Sequence, residues 1–420
     1  MMAVVMYRLA IGFYGLAVRV LSLINPKARL LAQGRKRAFA DAHAGMANGH
    51  GARVAWFHCA SLGEFEQGRP LIEAFRQRHP DMKVVLTFFS PSGYEVRKDY
   101  AHADVVLYLP ADTPGNARRF VQVLQPAVAF FVKYEYWYFY LKTLAAQGVP
   151  VFSVSSIFRA QQPFFKWYGG LHRTMLSYFA RFFVQNEHSQ QLLEGLGHQQ
   201  VTVSGDTRFD RVWQLCQQAA SNDWAAAFKA GQLVIVVGSS WPEDMEVLVP
   251  LINELTQVKF IIAPHEIHDS QLKAIEEDLD RPAIRYSACQ EATHVAQHQV
   301  LIIDNIGMLS SLYQYGELAY IGGAFGKGLH NILEAATFGL PVFFGNRNYA
   351  KFKEANDLIE ADCAMAVGNT AELSQRVHKL VYDEALRHEL SRRCQAYIEA
   401  QRGATETIMD SVHEEVPFLS

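Results

Sequence analysis

The sequence has few cysteines, and they are not arranged as a disulfide or metal framework. Five occur in 420 residues, an odd number, and none of them forms a CxxC pair. Secreted proteins that are stabilised by disulfides usually carry an even number of cysteines, and zinc-binding domains carry closely spaced cysteine pairs. The pattern therefore excludes a cysteine-based metal site and is typical of a protein that stays in a reducing compartment.

An excess of charge of one sign is also missing. The chain has 39 Lys and Arg against 42 Asp and Glu, a formal net charge of −3, so no general attraction to nucleic acid is predicted. Low-complexity tracts and internal repeats are absent as well. Half of the residues are hydrophobic, which favours a folded protein with one large domain or two domains.

Acidic residues are absent from the first 40 positions. Residues 1–24 are strongly apolar, but Arg8 and Arg19 fall on one side of a helix, so a broad apolar surface would carry a narrow polar stripe. Such a helix is more typical of the membrane interface than of a signal peptide or a membrane span. It is followed by basic residues that anionic lipids attract, namely Lys27, Arg29, Arg35, Lys36 and Arg37. We predict that residues 1–40 associate with a membrane; the alternative is a buried terminal helix followed by a solvated basic loop.

From Arg53 onward, short apolar runs alternate with helical patterns. Runs of this kind predict parallel strands covered by helices on both faces. The series is interrupted near residues 205–230 and then starts again, with apolar runs at residues 233–237, 258–262, 300–303, 318–321 and 342–344. The predicted fold class is therefore α/β, with two Rossmann-like doubly wound domains facing across a cleft. We place the domains at residues 41–210 and 211–420, the second ending in helices.

Two acidic residues follow strands of the first predicted domain. Glu64 lies in the turn His58-Cys-Ala-Ser-Leu-Gly-Glu-Phe-Glu66, at the start of a helix, and Glu135 lies in Lys133-Tyr-Glu-Tyr-Trp137. A carboxylate at either place is suited to take a proton from an attacking hydroxyl. The alternatives are that Glu64 only complements the helix dipole and that Glu135 is a structural ion-pair partner.

The second predicted domain has a glycine-rich loop at residues 321–341. Its glycines, followed by a helix predicted from about Asn331, favour a phosphate close to the backbone, and Glu334 would accept hydrogen bonds from ribose hydroxyls. A βα turn in any α/β protein can also carry glycines. Further loops follow strands at residues 238–244, 263–268 and 304–308. The first of these is suited to hold an anion with its serine hydroxyls and backbone N–H groups, and the alternative is a simple capped turn at a helix start. All four loops are predicted to converge on one cleft.

Metal binding is not predicted at the loop of residues 263–268. Ala263-Pro-His-Glu-Ile-His268 contains HExH, which lacks the i, i+4 histidine spacing of a zinc helix.

Several motifs, taken in order, resemble the transferases of 3-deoxy-D-manno-octulosonic acid (Kdo). They are Ala60-Ser-Leu-Gly-Glu64, Ser90-Pro-Ser-Gly93, Tyr108-Leu-Pro-Ala-Asp-Thr-Pro-Gly115, Glu135-Tyr-Trp137, Gly205 with Phe209-Asp210, Gly238-Ser-Ser, Gly322-Gly, His330-Asn-Ile-Leu-Glu334, Gly339-Leu-Pro-Val and Phe352-Lys-Glu354. The resemblance implies the two-domain glycosyltransferase B fold. It also implies inverting transfer of Kdo from CMP-Kdo to the 6′-hydroxyl of a lipid A precursor, with release of CMP, on the cytoplasmic face of the inner membrane and without a metal or other cofactor.

The resemblance also implies roles for individual residues. Glu64 matches the catalytic base and Glu135 the second acidic residue near the acceptor. The nucleotide contacts fall on Pro264, His265, Ile306, Gly307, Met308, Asn331, Ile332, Leu333 and Glu334. Basic residues such as Arg69, Lys133 or Arg159 are candidates, by charge, for the Kdo carboxylate and the lipid phosphates.

The sequence also departs from the family's usual motifs. His265 stands where the family usually has arginine, so a permanent charge is replaced by a titratable one. The segments Lys133-Tyr-Glu135, Ile306-Gly-Met308 and Gly328-Leu-His-Asn331 differ too. Two other functions therefore remain open: another two-domain enzyme that uses a UDP-sugar, as a transferase or an epimerase, and a silent nucleotide-binding protein at the membrane.

Overall fold

The computed structural model describes residues 2–47 and 51–419, which divide into two compact units. One unit comprises Met1–Arg211 and Arg402–Ser420, and the other comprises Val212–Gln401. Each unit is built on one parallel sheet of seven strands. The prediction of two doubly wound domains is confirmed.

The sheet of the first unit has the strand order β3-β2-β1-β4-β5-β6-β7. Its central strands are buried along nearly their whole length because helices cover both faces of the sheet. Strands β1 to β7 are Val54–Cys59, Lys83–Phe88, Val105–Tyr108, Pro126–Val132, Val151–Ser156, Arg181–Val184 and Val201–Val203.

Aromatic side chains fill the space between this sheet and its helices. Successive strand residues point to opposite faces, so Trp56 packs against Phe131 on one side while Phe57 stacks on Phe130 on the other. The helices α1 to α9 are Met2–Leu21, Pro26–Ala47, Leu62–Arg78, Pro91–Arg97, Pro114–Leu124, Tyr138–Ala146, Gly170–Leu176, Glu187–Glu194 and Thr207–Gln217.

The sheet of the second unit has the order β10-β11-β9-β8-β12-β13-β14. Its two outermost strands, β10 and β14, were not predicted, because β10 has only three residues and β14 is Ala-Met-Ala-Val, rich in residues that favour helices over strands. Strands β8 to β14 are Val234–Ser240, Lys259–Pro264, Ala283–Arg285, Val300–Ile302, Leu318–Ile321, Val342–Gly345 and Ala364–Val367.

The helices of the second unit cover both faces of its sheet. The helix predicted from Asn331 begins two residues later, at Leu333, and has only five residues. Helices α10 to α18 are Asp223–Lys229, Pro242–Glu254, Asp269–Asp278, Ala292–Gln297, Leu309–Leu312, Leu333–Thr337, Lys353–Glu360, Thr370–Tyr382 and Glu384–Ala400.

The last helix, α19 (Ala404–Glu415), belongs to the first unit. Placing residues 211–420 together in the second domain was therefore wrong for this final segment. Its buried residues Ile408, Met409 and Val412 join the core of the first unit. Arg78 also forms ion pairs with Glu406 and Asp410 of the helix.

The two N-terminal helices pack beside β3. Helix α2 comes close to this strand because Gly34, Ala38 and Ala42 form a small, buried face. Helix α1 is anchored by Tyr7, whose hydroxyl donates a hydrogen bond of 2.7 Å to Asp112. The basic residues at positions 27–37, which the alternative to a membrane contact placed in a solvated loop, thus lie within α2.

The outward face of α1 is apolar and exposed. The apolar surface predicted for this helix is divided, because residues such as Tyr7, Tyr14 and Val18 face the protein. The exposed residues recur at helical spacing: Met2, Val5, Met6, Leu9, Phe13, Leu16 and Val20, continued by Leu23 and Ile24. We call these nine residues the apolar stripe. By length and composition α1 also qualifies as a membrane span.

Candidate functional site

The two predicted catalytic carboxylates lie at the carboxyl ends of neighbouring strands of the first sheet. Strand β1 pairs directly with β4; Glu64 is in the first turn of the helix after β1, and Glu135 follows β4. The hydroxyl of Ser61 donates a hydrogen bond to Glu64. Burial, followed by the charges of Glu64 and Glu135, raises the pKa of the Cys59 thiol. Both carboxylates therefore lie at the same edge of the sheet.

Glu135 is buried and satisfied within the protein. Its Oε2 lies 2.9 Å from Nε2 of His58 and accepts a 2.7 Å hydrogen bond from the indole N–H of Trp137. The other ring nitrogen of His58 lies 2.8 Å from the hydroxyl of Thr87. Glu135 thus has a structural partner inside the protein, as the alternative for this residue supposed, in the form of a hydrogen-bonded contact with His58.

Strand ends in both units carry residues in a left-handed backbone conformation that were not predicted. Lys133, Ser155 and Ser239 have φ angles of 66°, 54° and 53°. Such a conformation is unfavourable for residues other than glycine and persists where the surroundings impose it, often at functional sites. Since none of the three is glycine, asparagine or aspartate, the sequence carries no sign of them.

The three basic residues suggested for the anionic groups of the substrates have different surroundings. Arg69 is paired with Glu73 at 2.7 Å and lies near Glu66. Arg159 donates a 3.3 Å hydrogen bond to the hydroxyl of Tyr134, the residue that follows Lys133 at the sheet edge. Arg69 is therefore occupied by acids, whereas Arg159 lies beside the segment that carries Glu135.

In the second unit the four predicted loops lie at the ends of adjacent strands, β11, β9, β8 and β12. Asp244 joins two of these loops and is fully buried. Its carboxylate accepts hydrogen bonds from the backbone N–H of Trp241 and of Gly323, and from the hydroxyl of Tyr320, at 2.8 to 2.9 Å. The capped-turn alternative for residues 238–244 is thus found here, and the cap also fixes the glycine loop.

Two glycines of the loop lie too close to neighbouring backbone atoms to carry a side chain. A Cβ on Gly322 would lie 2.4 Å from the backbone oxygen of Ser239. Gly323 has a φ angle of 96° and would meet the backbone oxygen of Gly328 at the same distance. The glycines are therefore required by the loop's own geometry, whether or not a ligand binds.

Glu334 brings the last two loops together. It accepts hydrogen bonds from the hydroxyl of Ser310 and, at 2.9 Å, from the side-chain amide of Asn331. Ser310 lies two residues after the last of the predicted contacts Ile306, Gly307 and Met308, and Ile306 is 89% exposed. The predicted nucleotide-binding residues 306–308 and 331–334 thus lie side by side.

An aromatic stack that was not predicted borders these loops. The ring of His265 stacks on both Trp241 and His330, with centroid distances of 4.4 and 4.5 Å. The indole N–H of Trp241 donates to Nε2 of His330 at 3.0 Å, and Nζ of Lys327 lies 3.8 Å from the centroid of the Trp241 ring. Burial, followed by the charge of His265, lowers the pKa of His330.

One feature of the sequence does point to this stack. Tryptophan stands just before α11, where serine, threonine, asparagine or aspartate is usual.

Within residues 2–47 and 51–419, no three His, Cys, Asp or Glu side chains are grouped to hold a metal ion.

Comparison with known families and proteins gives consistent matches. Residues 32–211 match the family model described as 3-deoxy-D-manno-octulosonic-acid transferase. The chain is 26% identical to the 3-deoxy-D-manno-octulosonic acid transferase of Bordetella pertussis over 96% of this chain and 99% of that protein. The protein of the same name from Aquifex aeolicus is 25% identical over 78% of this chain and 85% of its own. The resemblance predicted from the motifs is confirmed.

Solved structures share the fold at lower identity. UDP-GlcNAc 2-epimerase from Neisseria meningitidis has a TM-score of 0.62 at 15% identity, covering 86% of this chain and 100% of its own. MurG from Acinetobacter baumannii has a TM-score of 0.54 at 14% identity, covering 86% and 99%. At these identities the likeness concerns the fold alone, and it agrees with the predicted glycosyltransferase B class.

Proposed function

We propose that this chain, a relative of the Kdo transferases, moves Kdo from CMP-Kdo to the 6′-hydroxyl of a lipid A precursor. The observation that carries the proposal is the match to a named Kdo transferase over nearly the whole chain. The loops at the two sheet edges agree with it, since one edge offers carboxylates and the other offers glycines, a carboxylate and an aromatic stack. The reaction belongs to the synthesis of the inner core of lipopolysaccharide.

In the proposed reaction Glu64 is the general base. It removes the proton from the acceptor hydroxyl as that oxygen forms a bond to the anomeric carbon of Kdo, and the bond from this carbon to the phosphate oxygen breaks. CMP leaves with the bonding electrons, and attack opposite the leaving group inverts the configuration. The hydrogen bond from Ser61 orients the carboxylate. General bases contribute about 10²- to 10⁴-fold to the rate.

Glu135 acts as a positioning residue in this scheme. It holds the indole of Trp137 and the ring of His58 in fixed orientations. Trp137 stacks on Phe89, with a centroid distance of 4.9 Å, so the network extends to the end of β2. The carboxylate thereby shapes the surface that meets the acceptor.

The donor nucleotide is proposed to bind at the edge of the second sheet. Glu334 exchanges its present bonds with Ser310 and Asn331 for the ribose hydroxyls, and Ile306, Gly307 and Met308 contact the base. His265, next to Pro264, takes the place of the usual arginine near the phosphate, supported by Lys327. Backbone groups of Asn331, Ile332 and Leu333 complete the site. No metal ion takes part in the proposed step.

Association with the cytoplasmic face of the inner membrane is part of the proposal. The apolar stripe on α1 offers a row of exposed side chains, and basic residues of α1 and α2 lie close by. A helix with such a face lies in the membrane interface, where anionic headgroups attract the arginines and lysines. The acceptor would then be reached without leaving the bilayer.

A donor comparison tests this function. The full-length protein is given the lipid A precursor with CMP-Kdo, which is generated in situ because it is labile, or with UDP-N-acetylglucosamine. Mass spectrometry of the lipid is expected to show addition of Kdo from CMP-Kdo and no product from the UDP-sugar. Transfer from the UDP-sugar, or no product from either donor while CMP still binds, would overturn the proposal.

A further inference from the structure

A cavity of about 570 Å³ lies between α1, α2 and the end of β3. Three of its lining residues are cationic: Arg19, Arg35 and Lys36. Its lining contains no aspartate or glutamate. A concave site with several positive charges and no acid to neutralise them is suited to an anion.

Arg35 has no acidic partner in the described part of the chain. Its Nε and Nη2 atoms are buried and make no hydrogen bond. The guanidinium carbon lies 4.4 Å from the ring centroid of Phe89 and 5.6 Å from that of Tyr14. Unpaired buried donors on a charged group are costly and are usually found where a ligand completes the site.

The position of the cavity indicates which anion it receives. Gly15, Val18 and Arg19 of α1 line the cavity, and the apolar stripe runs along the neighbouring face of the same helix. A lipid with its acyl chains against the stripe therefore has its polar headgroup at the level of the cavity. Arginine matches the geometry of a phosphate with paired donors.

The cavity is also connected to the candidate catalytic edge. Phe89, on which Arg35 rests, stacks on Trp137 with an angle of 18° between the rings, and Trp137 donates to Glu135. An anion held by Arg35 thus lies one aromatic pair away from the Glu135 network. This contact favours the acceptor lipid over a distant bulk phospholipid.

We propose that this cavity binds the phosphate group of a membrane lipid, with Arg35 as its central ligand and Arg19 and Lys36 at its mouth. The inference rests on the proposed function in placing a lipid substrate at this edge. Phosphate groups occur both on the acceptor disaccharide and on anionic phospholipids, and the test separates these sources.

Binding is measured by calorimetry on the full-length protein in a neutral detergent, without donor. The probes are dihexanoyl phosphatidic acid, dihexanoyl phosphatidylcholine, and the lipid A precursor with or without its phosphates. We expect the phosphorylated probes to bind, and Arg35→Met to weaken them about tenfold or more, since a desolvated charge contact is lost. Arg37→Gln, which removes an exposed charge of the same helix, is expected to leave the affinity unchanged.

The outcomes identify the source or overturn the inference. Weakening of the precursor alone assigns the cavity to the acceptor, and equal weakening of phosphatidic acid assigns it to any phosphate-bearing lipid. Unchanged affinity for every phosphorylated probe in Arg35→Met overturns the proposal. If Arg35→Met does not fold, the exposed double variant Arg19→Gln with Lys36→Gln answers the same question: weaker binding supports the proposal and unchanged binding overturns it.

The readout separates this inference from the proposed function. Phosphate-selective binding that depends on Arg35, in a protein that transfers nothing from CMP-Kdo, would contradict the function and leave the cavity's assignment intact. Transfer of Kdo by a protein whose affinity for lipids does not depend on their phosphate would support the function and contradict the assignment of the cavity.

Discussion

The imidazole of His58 and the carboxylate of Glu135 form a buried pair, with 2.9 Å between Nε2 and Oε2. The same carboxylate oxygen accepts from Trp137, so one acidic group satisfies two ring N–H groups at the edge of the sheet. The candidate acceptor surface is therefore organised around Glu135, and Glu64 stands on the adjacent strand end with its hydrogen bond to Ser61.

Replacing Glu135 by alanine is expected to destabilise the first unit. The buried ring N–H of His58 would lose its acceptor, at about 1–3 kcal/mol, and the half-buried indole N–H of Trp137 would lose one as well. Urea denaturation should show a clearly lower midpoint for Glu135→Ala, while Glu135→Gln, which keeps one acceptor oxygen, lies in between. As a control, Glu194→Ala at the exposed end of α8 should change the free energy of unfolding by less than about 0.5 kcal/mol. Equal midpoints for Glu135→Ala and the wild type would contradict the network.

The docking of α2 is expected to depend on the absence of a side chain at Gly34. A Cβ there would lie 2.2 Å from the ring of Tyr108, so Gly34→Ala should cost about 1–3 kcal/mol through the displaced ring. Gly12 has nothing within 4 Å of its Cβ position, and Gly12→Ala should stabilise α1 by up to about 1 kcal/mol. Thermal denaturation of the pair separates steric from helix-propensity effects, and a drop of equal size in both variants would refute the close packing.

Acidification is expected to weaken the aromatic stack of the second unit. His330 must be neutral to accept from Trp241, and its pKa is lowered in the folded protein. The unfolded chain therefore binds the proton more readily, so this contribution to stability is lost as the pH falls below about 6.5, the ordinary value for histidine. The difference in unfolding free energy between about pH 7.5 and pH 5.5 should shrink in His330→Gln.

His268→Gln provides the matched control for that measurement. His268 is an exposed histidine on the same edge, and its replacement should leave the pH dependence as in the wild type. Identical pH profiles for wild type and His330→Gln would show that the Trp241 contact does not depend on a neutral His330.

A charge on the apolar stripe is expected to reduce membrane association. Phe13 is 74% exposed at the centre of the stripe, and burying a phenylalanine in an apolar phase is favourable by about 1.5–3 kcal/mol. Phe13→Asp should lower the partition coefficient between anionic vesicles and water by about tenfold or more, as measured by the fraction of protein that sediments with the vesicles. The control Val203→Asp changes an exposed residue of β7, the edge strand of the first sheet that lies opposite β3. This variant should sediment as the wild type does. Equal sedimentation of Phe13→Asp would contradict the membrane contact.

Most of the fold follows from local sequence patterns. The strands that lie inside both sheets were predicted because helices on both faces require continuous apolar runs, as in Val54–Cys59. The edge strand β10 has only three residues, and β14 is rich in residues that favour helices over strands. The return of α19 to the first unit depends on long-range contacts, such as that of Arg78 with Glu406, which no local pattern reveals.

The candidate site is predictable in part for the same reason. Residues such as Glu64 and Glu334 follow strands, so their place at a sheet edge can be read from the sequence. The partner of Glu135 could not be predicted, because His58 is 77 positions away and looks like any histidine in a buried strand. The aromatic stack similarly combines Trp241, His265 and His330 from three separate loops.

The proposed mechanism depends on Glu64 as the base of Kdo transfer. The decisive measurement compares the wild type with Glu64→Ala in transfer from CMP-Kdo to the lipid A precursor, with CMP binding measured on both. We predict product from the wild type and a loss of about 10²- to 10⁴-fold in the variant, with CMP affinity unchanged because the proposed nucleotide site lies in the other unit. Equal rates in the two proteins would contradict the account.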